Sequence, residues 1–83
     1  MKKIVISLEQ IDWSVPCRDV WNMTAITPDK IDEWLEAQIK SMEEYDEPVG
    51  YWDIHINRYR ICNINQRKTT NILKEYERKC KEL

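Results

Sequence analysis

One glycine, one histidine and no phenylalanine occur in this chain of 83 residues. The lone glycine, Gly50, excludes a phosphate-cradling loop of the usual kind, which needs several positions without a side chain. The lone histidine, His55, excludes an HExxH zinc helix, and no serine sits in a glycine-flanked elbow. The three cysteines, Cys17, Cys62 and Cys80, are odd in number and irregular in spacing. They form neither a disulfide framework nor a CxxC clip, so reduced thiols are expected. No run approaches the ~20 apolar residues that span a bilayer, and no membrane association is expected. In the opening MKKIVISLEQ the apolar run Ile4–Leu8 is interrupted by Glu9 and lacks a small-residue cleavage site, unlike a signal peptide. The expected location is the cytoplasm.

What is present points to a folded chain. Hydrophobic residues make up 42% and the net charge is only −2, which excludes a disordered polyelectrolyte. One domain, residues 1–83, is expected, with a thin core burying roughly 60–65% of the unfolded surface. Four tryptophans and four tyrosines compensate, since each buried aromatic removes a large apolar area from water. The small net charge hides a division. Residues 1–50 carry 5 basic and 11 acidic side chains, net −6, and residues 51–83 carry 8 basic and 4 acidic, net +4. Such asymmetry points to a charged partner.

Periodicity divides the chain into six elements. KKIVISL reads as a strand with Ile4 and Ile6 on one face. EQIDWSVPC reads as a loop or edge segment, because Pro16 cannot donate to a ladder. RDVWNMTAI follows as a second strand. In ITPDKIDEWLEAQIKSMEEYDE, Thr27 is a natural N-cap, Pro28 fits the first helical position, and Ile26 and Ile31 can form a staple. Ile31, Leu35, Gln38, Ile39, Met42 and Tyr45 recur at helical spacing, with Trp34 on the flank. Pro48 and Gly50 are the expected stop. YWDIHI and YRICNI flank Asn57-Arg58, a two-residue turn that pairs Ile56 with Tyr59 and Ile54 with Ile61. Trp52 then joins those residues on the apolar face, and Tyr51, Asp53, His55, Arg60 and Cys62 share the other. QRKTTNILKEYERKCKEL reads as a closing helix with the apolar stripe Thr69, Ile72, Leu73, Tyr76, Cys80 and Leu83. The predicted fold is α+β in the order β-β-α-β-β-α. It is a four-stranded, mostly antiparallel sheet with two helices packed on one face.

The sharpest chemical constellation lies on the outer hairpin face, where this register sets Asp53 opposite Cys62 with His55 diagonal to both. Cys, His and Asp can form a thiol nucleophile with a base and an orienting acid, or supply metal ligands. An open sheet in so small a chain offers neither cleft nor oxyanion donors, and a structural zinc wants four ligands. The favoured expectation is therefore a protein without catalytic residues, cofactor or metal.

Two binding modes remain. The outer face of the first helix presents Asp29, Asp32, Glu33, Glu36, Glu43 and Glu44, interrupted by Lys40. Such a strip can dock on a larger protein with a basic, nucleic-acid-handling groove and compete with its substrate. Trp13, in the first loop and without a periodic partner, is a candidate contact, as tryptophan is enriched at interface hot spots. A small inhibitor or adaptor of this kind fits phage or mobile-element proteins acting in the host cytoplasm, an analogy of class alone. The second mode is RNA or DNA binding. Tyr51, His55, Arg58 and Arg60 on an uncovered sheet could stack on bases, and Arg67, Lys68 and Lys74 contact phosphates. The sequence pI near 5.4 argues against it. The stripe of the last helix is wide enough for the core or for a homodimer.

Overall fold

A computed structural model describes residues 2–12 and 17–81. Strands β1 (Ile4–Asp12) and β2 (Cys17–Ile26) are followed by helix α1 (Ile31–Glu44), strands β3 (Asp53–Ile56) and β4 (Tyr59–Asn63), and helix α2 (Thr69–Lys81). Short 3-10 turns at Pro28–Lys30, Val49–Tyr51 and Ile64–Gln66 link them. The strands form one antiparallel sheet in the order β2-β1-β3-β4, and both helices pack on one face, as the sequence pattern predicts.

Alternation decides which face is covered. Ile4, Ile6 and Leu8 of β1 and Ile54 and Ile56 of β3 point inward. Against them α1 lays Ile31, Leu35, Ile39 and Met42, and α2 contributes Ile72. With Trp52, Ile61 and Ile64 these form one apolar layer, flanked by Leu73 and Tyr76. The α2 stripe therefore serves the core in its described part, although Cys80 is exposed; Leu83 lies outside the described residues. Trp52 packs edge-on against Trp21 at 5.9 Å, and among the described residues its Nε1 is the buried side-chain polar atom without a partner.

Local signals hold with some changes. The expected loop after Leu8 is shorter, because β1 runs on to Asp12. Thr27 does precede the first turn and its carbonyl accepts from the Lys30 amide at 3.0 Å, but Pro28–Lys30 is a 3-10 turn and the Thr27 hydroxyl caps no backbone N–H. α1 ends before Pro48 and Gly50. Asp46 adopts φ 54° and the Glu47 amide bonds back to the Met42 carbonyl at 2.8 Å, a left-handed terminator. The helical spacing that places Tyr45 on the apolar stripe thus breaks at the helix end, and Tyr45 is 75% exposed.

The turn at Asn57-Arg58 forms as predicted, with φ 50° and 74° at the two residues. Asn57 is a clamp between three elements. Its amide donates to the Val5 carbonyl at 2.7 Å, its Oδ1 accepts from the Val5 amide at 3.0 Å, and its Nδ2 donates to the Tyr76 hydroxyl at 2.6 Å. Beyond the turn the predicted register fails. Ile56 pairs with Tyr59, but Ile54 pairs with Cys62 and Asp53 with Asn63, because Ile61 is an extra residue in a β-bulge. Ile61 and Cys62 both pack on the core side.

Replacing Asn57 by Ala removes both side-chain bonds and forces alanine into left-handed backbone, so a loss of about 1–3 kcal/mol is expected in urea unfolding. Arg58→Gly relieves the same backbone strain without touching a described hydrogen bond, and a gain of roughly 0.5–1 kcal/mol is expected.

Candidate functional site

The bulge separates the residues that would have made a thiol site. Asp53 faces Asn63 and Arg60 on the side of the sheet opposite the helices, where its Oδ1 accepts from Asn63 Nδ2 at 3.2 Å and its Oδ2 from Arg60 Nε at 3.1 Å. His55 shares that side and is only 2% exposed. Its Nδ1 lies 3.3 Å from the Asp53 carbonyl, which can only accept, so Nδ1 carries the proton. Cys62 lies on the helix side, where its thiol donates to the Gln66 carbonyl at 3.8 Å. The sheet thus stands between the imidazole and the sulfur.

Cys62 does line a cleft of about 340 Å³, bounded by Arg60, Ile61, Gln66, Asn71 and Glu75. The one base among them is Glu75, whose carboxylate is held by Arg78 at 2.8 Å and kept below its usual range. Partial burial pushes the Cys62 thiol above its ordinary range, only partly countered by the Arg60 charge. Among the described residues no group of three or more His, Cys, Asp or Glu side chains can hold a metal ion.

The sheet face opposite the helices is not the open surface expected, since Ser7, Glu9 and His55 on it are each only 2% exposed, and it neutralises its own charges. Glu9 is 2% exposed, and it faces Asp53 across the ladder. Opposed carboxylates repel, and each has its own guanidinium. Arg18 Nε lies 3.3 Å from Glu9, Arg60 serves Asp53, and Ser7 Oγ donates to Glu9 at 2.6 Å.

The residues considered for nucleic acid do not meet on one surface. His55 is too buried to stack on a base, and Arg60 is engaged by Asp53. Tyr51, 71% exposed, sits in the turn before β3, whereas Arg58 lies beyond its other end. Arg67 donates to the Ile64 carbonyl at 3.1 Å and pairs with Glu36 at 3.8 Å. Lys68 and Lys74 are exposed on or near α2.

The α1 carboxylates do share a surface. Asp29, Asp32, Glu33, Glu36, Glu43 and Glu44 are all exposed, on a helix anchored by four buried apolar side chains. Two face the seam with α2: Asp32 accepts from the Thr69 hydroxyl, and Glu36 meets Arg67. Glu33 pairs with Lys30 at 3.7 Å. The Thr27 hydroxyl holds the Asp29 carboxyl below its usual range. Glu43 and Glu44 make no ion pair with the described residues, although they crowd the negative end of the helix dipole. Beside them Tyr45 packs edge-on against Trp21 at 6.4 Å. Sequence pattern missed this exposed aromatic, because it treated Tyr45 as core. Trp13 lies outside the described residues.

Comparison with protein-family models, curated proteins and solved structures found no match. No helix among the described residues is long and apolar enough to cross a membrane.

Alkylation by iodoacetamide near neutral pH, followed residue by residue by mass spectrometry, should be slower at Cys62 than at a free thiol such as glutathione. Because folding favours the protonated thiol, the sign of its linkage is set. Its contribution is neutral below the ordinary thiol pKa and destabilises the fold as pH rises above it, which Cys62→Ser should abolish in alkaline unfolding curves.

Proposed function

We propose that this protein is a non-enzymatic binding module, an inhibitor or adaptor that docks the carboxylate strip of α1 on a larger protein with a basic, nucleic-acid-handling surface. One observation carries the reading. Six exposed carboxylates span α1 and the turn before it. At helical and 3-10 rises that is a strip of roughly 25 Å, or one carboxylate per ~4 Å. A DNA strand carries one charge per about 3.4 Å. Lys30 and Lys40 lie within the strip and Arg67 meets Glu36, so its net charge is sparser than that of a phosphate strand, but a groove built for phosphates still meets an excess of negative charge here.

The clefts support the same reading. Cys62, which lines one of them, has beside it the carboxylate of Glu75, held by Arg78 at 2.8 Å, and its thiol is displaced away from the reactive thiolate. The exposed carboxylates are by contrast unencumbered at the end of α1, with the aromatic ring of Tyr45 beside them as a flat contact.

The test is affinity capture from host lysate at low salt with the wild-type chain and with the triple reversal Glu33→Lys, Glu36→Lys, Glu44→Lys. Basic nucleic-acid-binding proteins should be retained by the wild type, released by about 0.3 M salt as exposed charges are screened, and displaced by duplex DNA. The reversal should lose them. Equal capture by both forms overturns the assignment. Direct binding of mixed oligonucleotides in fluorescence anisotropy at low salt, unaffected by the reversal, would transfer it to nucleic-acid recognition.

A further inference from the structure

We infer that the end of the helix layer where β1 begins is a binding site for a small phosphate monoester carried on a flat apolar ring. A cavity of about 560 Å³ opens there, lined by Lys2, Lys3, Ile4, Pro28, Asn57 and Tyr76. That volume lies within the roughly 300–1,000 Å³ of small-molecule sites. Four parts of the chain meet around it: the start of β1, the turn before α1, the β3–β4 turn and α2. Its position follows from the order of elements. Ile4 is the first inward-facing residue of β1, so it forms the floor where the sheet begins. Pro28 precedes α1 and Tyr76 belongs to α2, so the two rise from different sides of the helix layer.

The lower part of the cavity is apolar and fixed. Ile4 is 7% exposed and offers no polar atom from its side chain, and Pro28 has no N–H. The Tyr76 hydroxyl accepts from Asn57 Nδ2 at 2.6 Å, and Asn57 is itself bonded to both backbone groups of Val5. The tyrosine ring is thus set in place before any ligand arrives, so little side-chain entropy is lost on binding. A second ring can meet it offset-stacked or edge-on.

The rim selects the charge. Lys2 and Lys3 are exposed, and neither forms an ion pair with a described residue. Arg58, next to Asn57 in the turn, is exposed as well and adds to the positive field. Asp29, beside Pro28, opposes it, but the Thr27 hydroxyl already donates to that carboxyl and Lys30 attracts it. Two uncompensated ammonium groups match a phosphate monoester, which carries about −1.5 to −2 charges at pH 7, and lysine binds phosphate well as a point charge. An uncharged ring would leave the lysines unmatched, and a bare phosphate would leave the apolar walls uncovered.

Titration of the isotope-labelled chain with phenyl phosphate, followed by amide NMR, tests the site. Saturable shifts centred on Lys3, Ile4, Asn57 and Tyr76 are expected, with a dissociation constant of about 1 mM or below at low salt. Inorganic phosphate and phenol, each lacking half of the ligand, should bind at least about fivefold more weakly. Lys2→Gln with Lys3→Gln alters exposed positions only and should weaken phenyl phosphate about tenfold, whereas Lys68→Gln with Lys74→Gln, exposed on or near α2, should leave it unchanged. Circular dichroism checks that both variants are folded. The absence of saturable shifts up to about 10 mM ligand, shifts centred elsewhere, inorganic phosphate binding as tightly as phenyl phosphate, or equal losses in the two lysine pairs would each overturn the site. No protein partner takes part in the titration, so its outcome is independent of lysate capture.

Discussion

A single apolar layer, open to filling from one side of every element, is the constraint on which this fold rests. In a chain of 83 residues there is no second layer to absorb an error. The two central strands meet the constraint by simple alternation. The two edge strands do not, and each adds a residue. Opposite Leu8 and Glu9, Trp21 is the extra residue of β2, and opposite Ile54 and His55, Ile61 is the extra residue of β4. Both added side chains pack on the core. A bulge costs ladder hydrogen bonds locally, and an edge strand has the fewest to lose. The edge bulges thus draw two further apolar side chains into a layer that alternation alone leaves short.

That device explains what could be read from the sequence and what could not. The helix entry, the hairpin turn and the fold order follow from local chemistry: proline after threonine, asparagine at a left-handed corner, isoleucines at periods of two and of three to four. With only one glycine, the left-handed corners fall to Asp46, Asn57 and Arg58, and of these only Asn57 carries a strong signal. The bulge at Ile61 has no local signature. YRICN alternates equally well in two registers, and the choice between them is made by tertiary packing, which prefers Ile61 and Cys62 both inside. One residue of slippage removed the Asp53–Cys62 opposition, and with it the thiol site that alternation had suggested. The acidic strip was legible because exposed positions on a helix depend on period alone, and α1 keeps its period from Ile31 to Glu44. Tyr45 was not, since one residue past that limit the period no longer applies.

The sheet face opposite the helices and the open edge of β2 show how charge and backbone groups are withdrawn from external use. On the face, Glu9 and Asp53 lie opposite each other and are matched by Arg18 and Arg60, one guanidinium to each carboxylate. At the edge, the Val5 backbone is committed to Asn57, which turns Leu8 and Ile6 toward β2 and leaves the Met23 amide pointing away from the sheet. The Asn22 side chain accepts that amide at 2.9 Å and donates to Gln38 of α1 at 3.1 Å. A backbone donor that would invite another strand is thereby taken up within the molecule.

The helix layer follows the opposite rule. Its carboxylates concentrate on α1, whereas α2 interleaves Glu75 and Glu77 with its cations and pairs Glu75 with Arg78 at 2.8 Å; among the described residues Arg67, Thr69, Asp32 and Glu36 join across the seam. Concentrating like charge on α1 is unfavourable for an isolated monomer. Like charges at helical neighbours repel, and Glu43 and Glu44 oppose the dipole of their own helix. Interleaving the same residues would remove both penalties without changing composition or core. Buried packing does not require the concentration, because all six carboxylates are exposed, and only Asp32 and Glu36 among them bond to the seam with α2. Within the chain such a penalty is offset by packing, since Ile31, Leu35, Ile39 and Met42 anchor α1 in the core beneath its carboxylates.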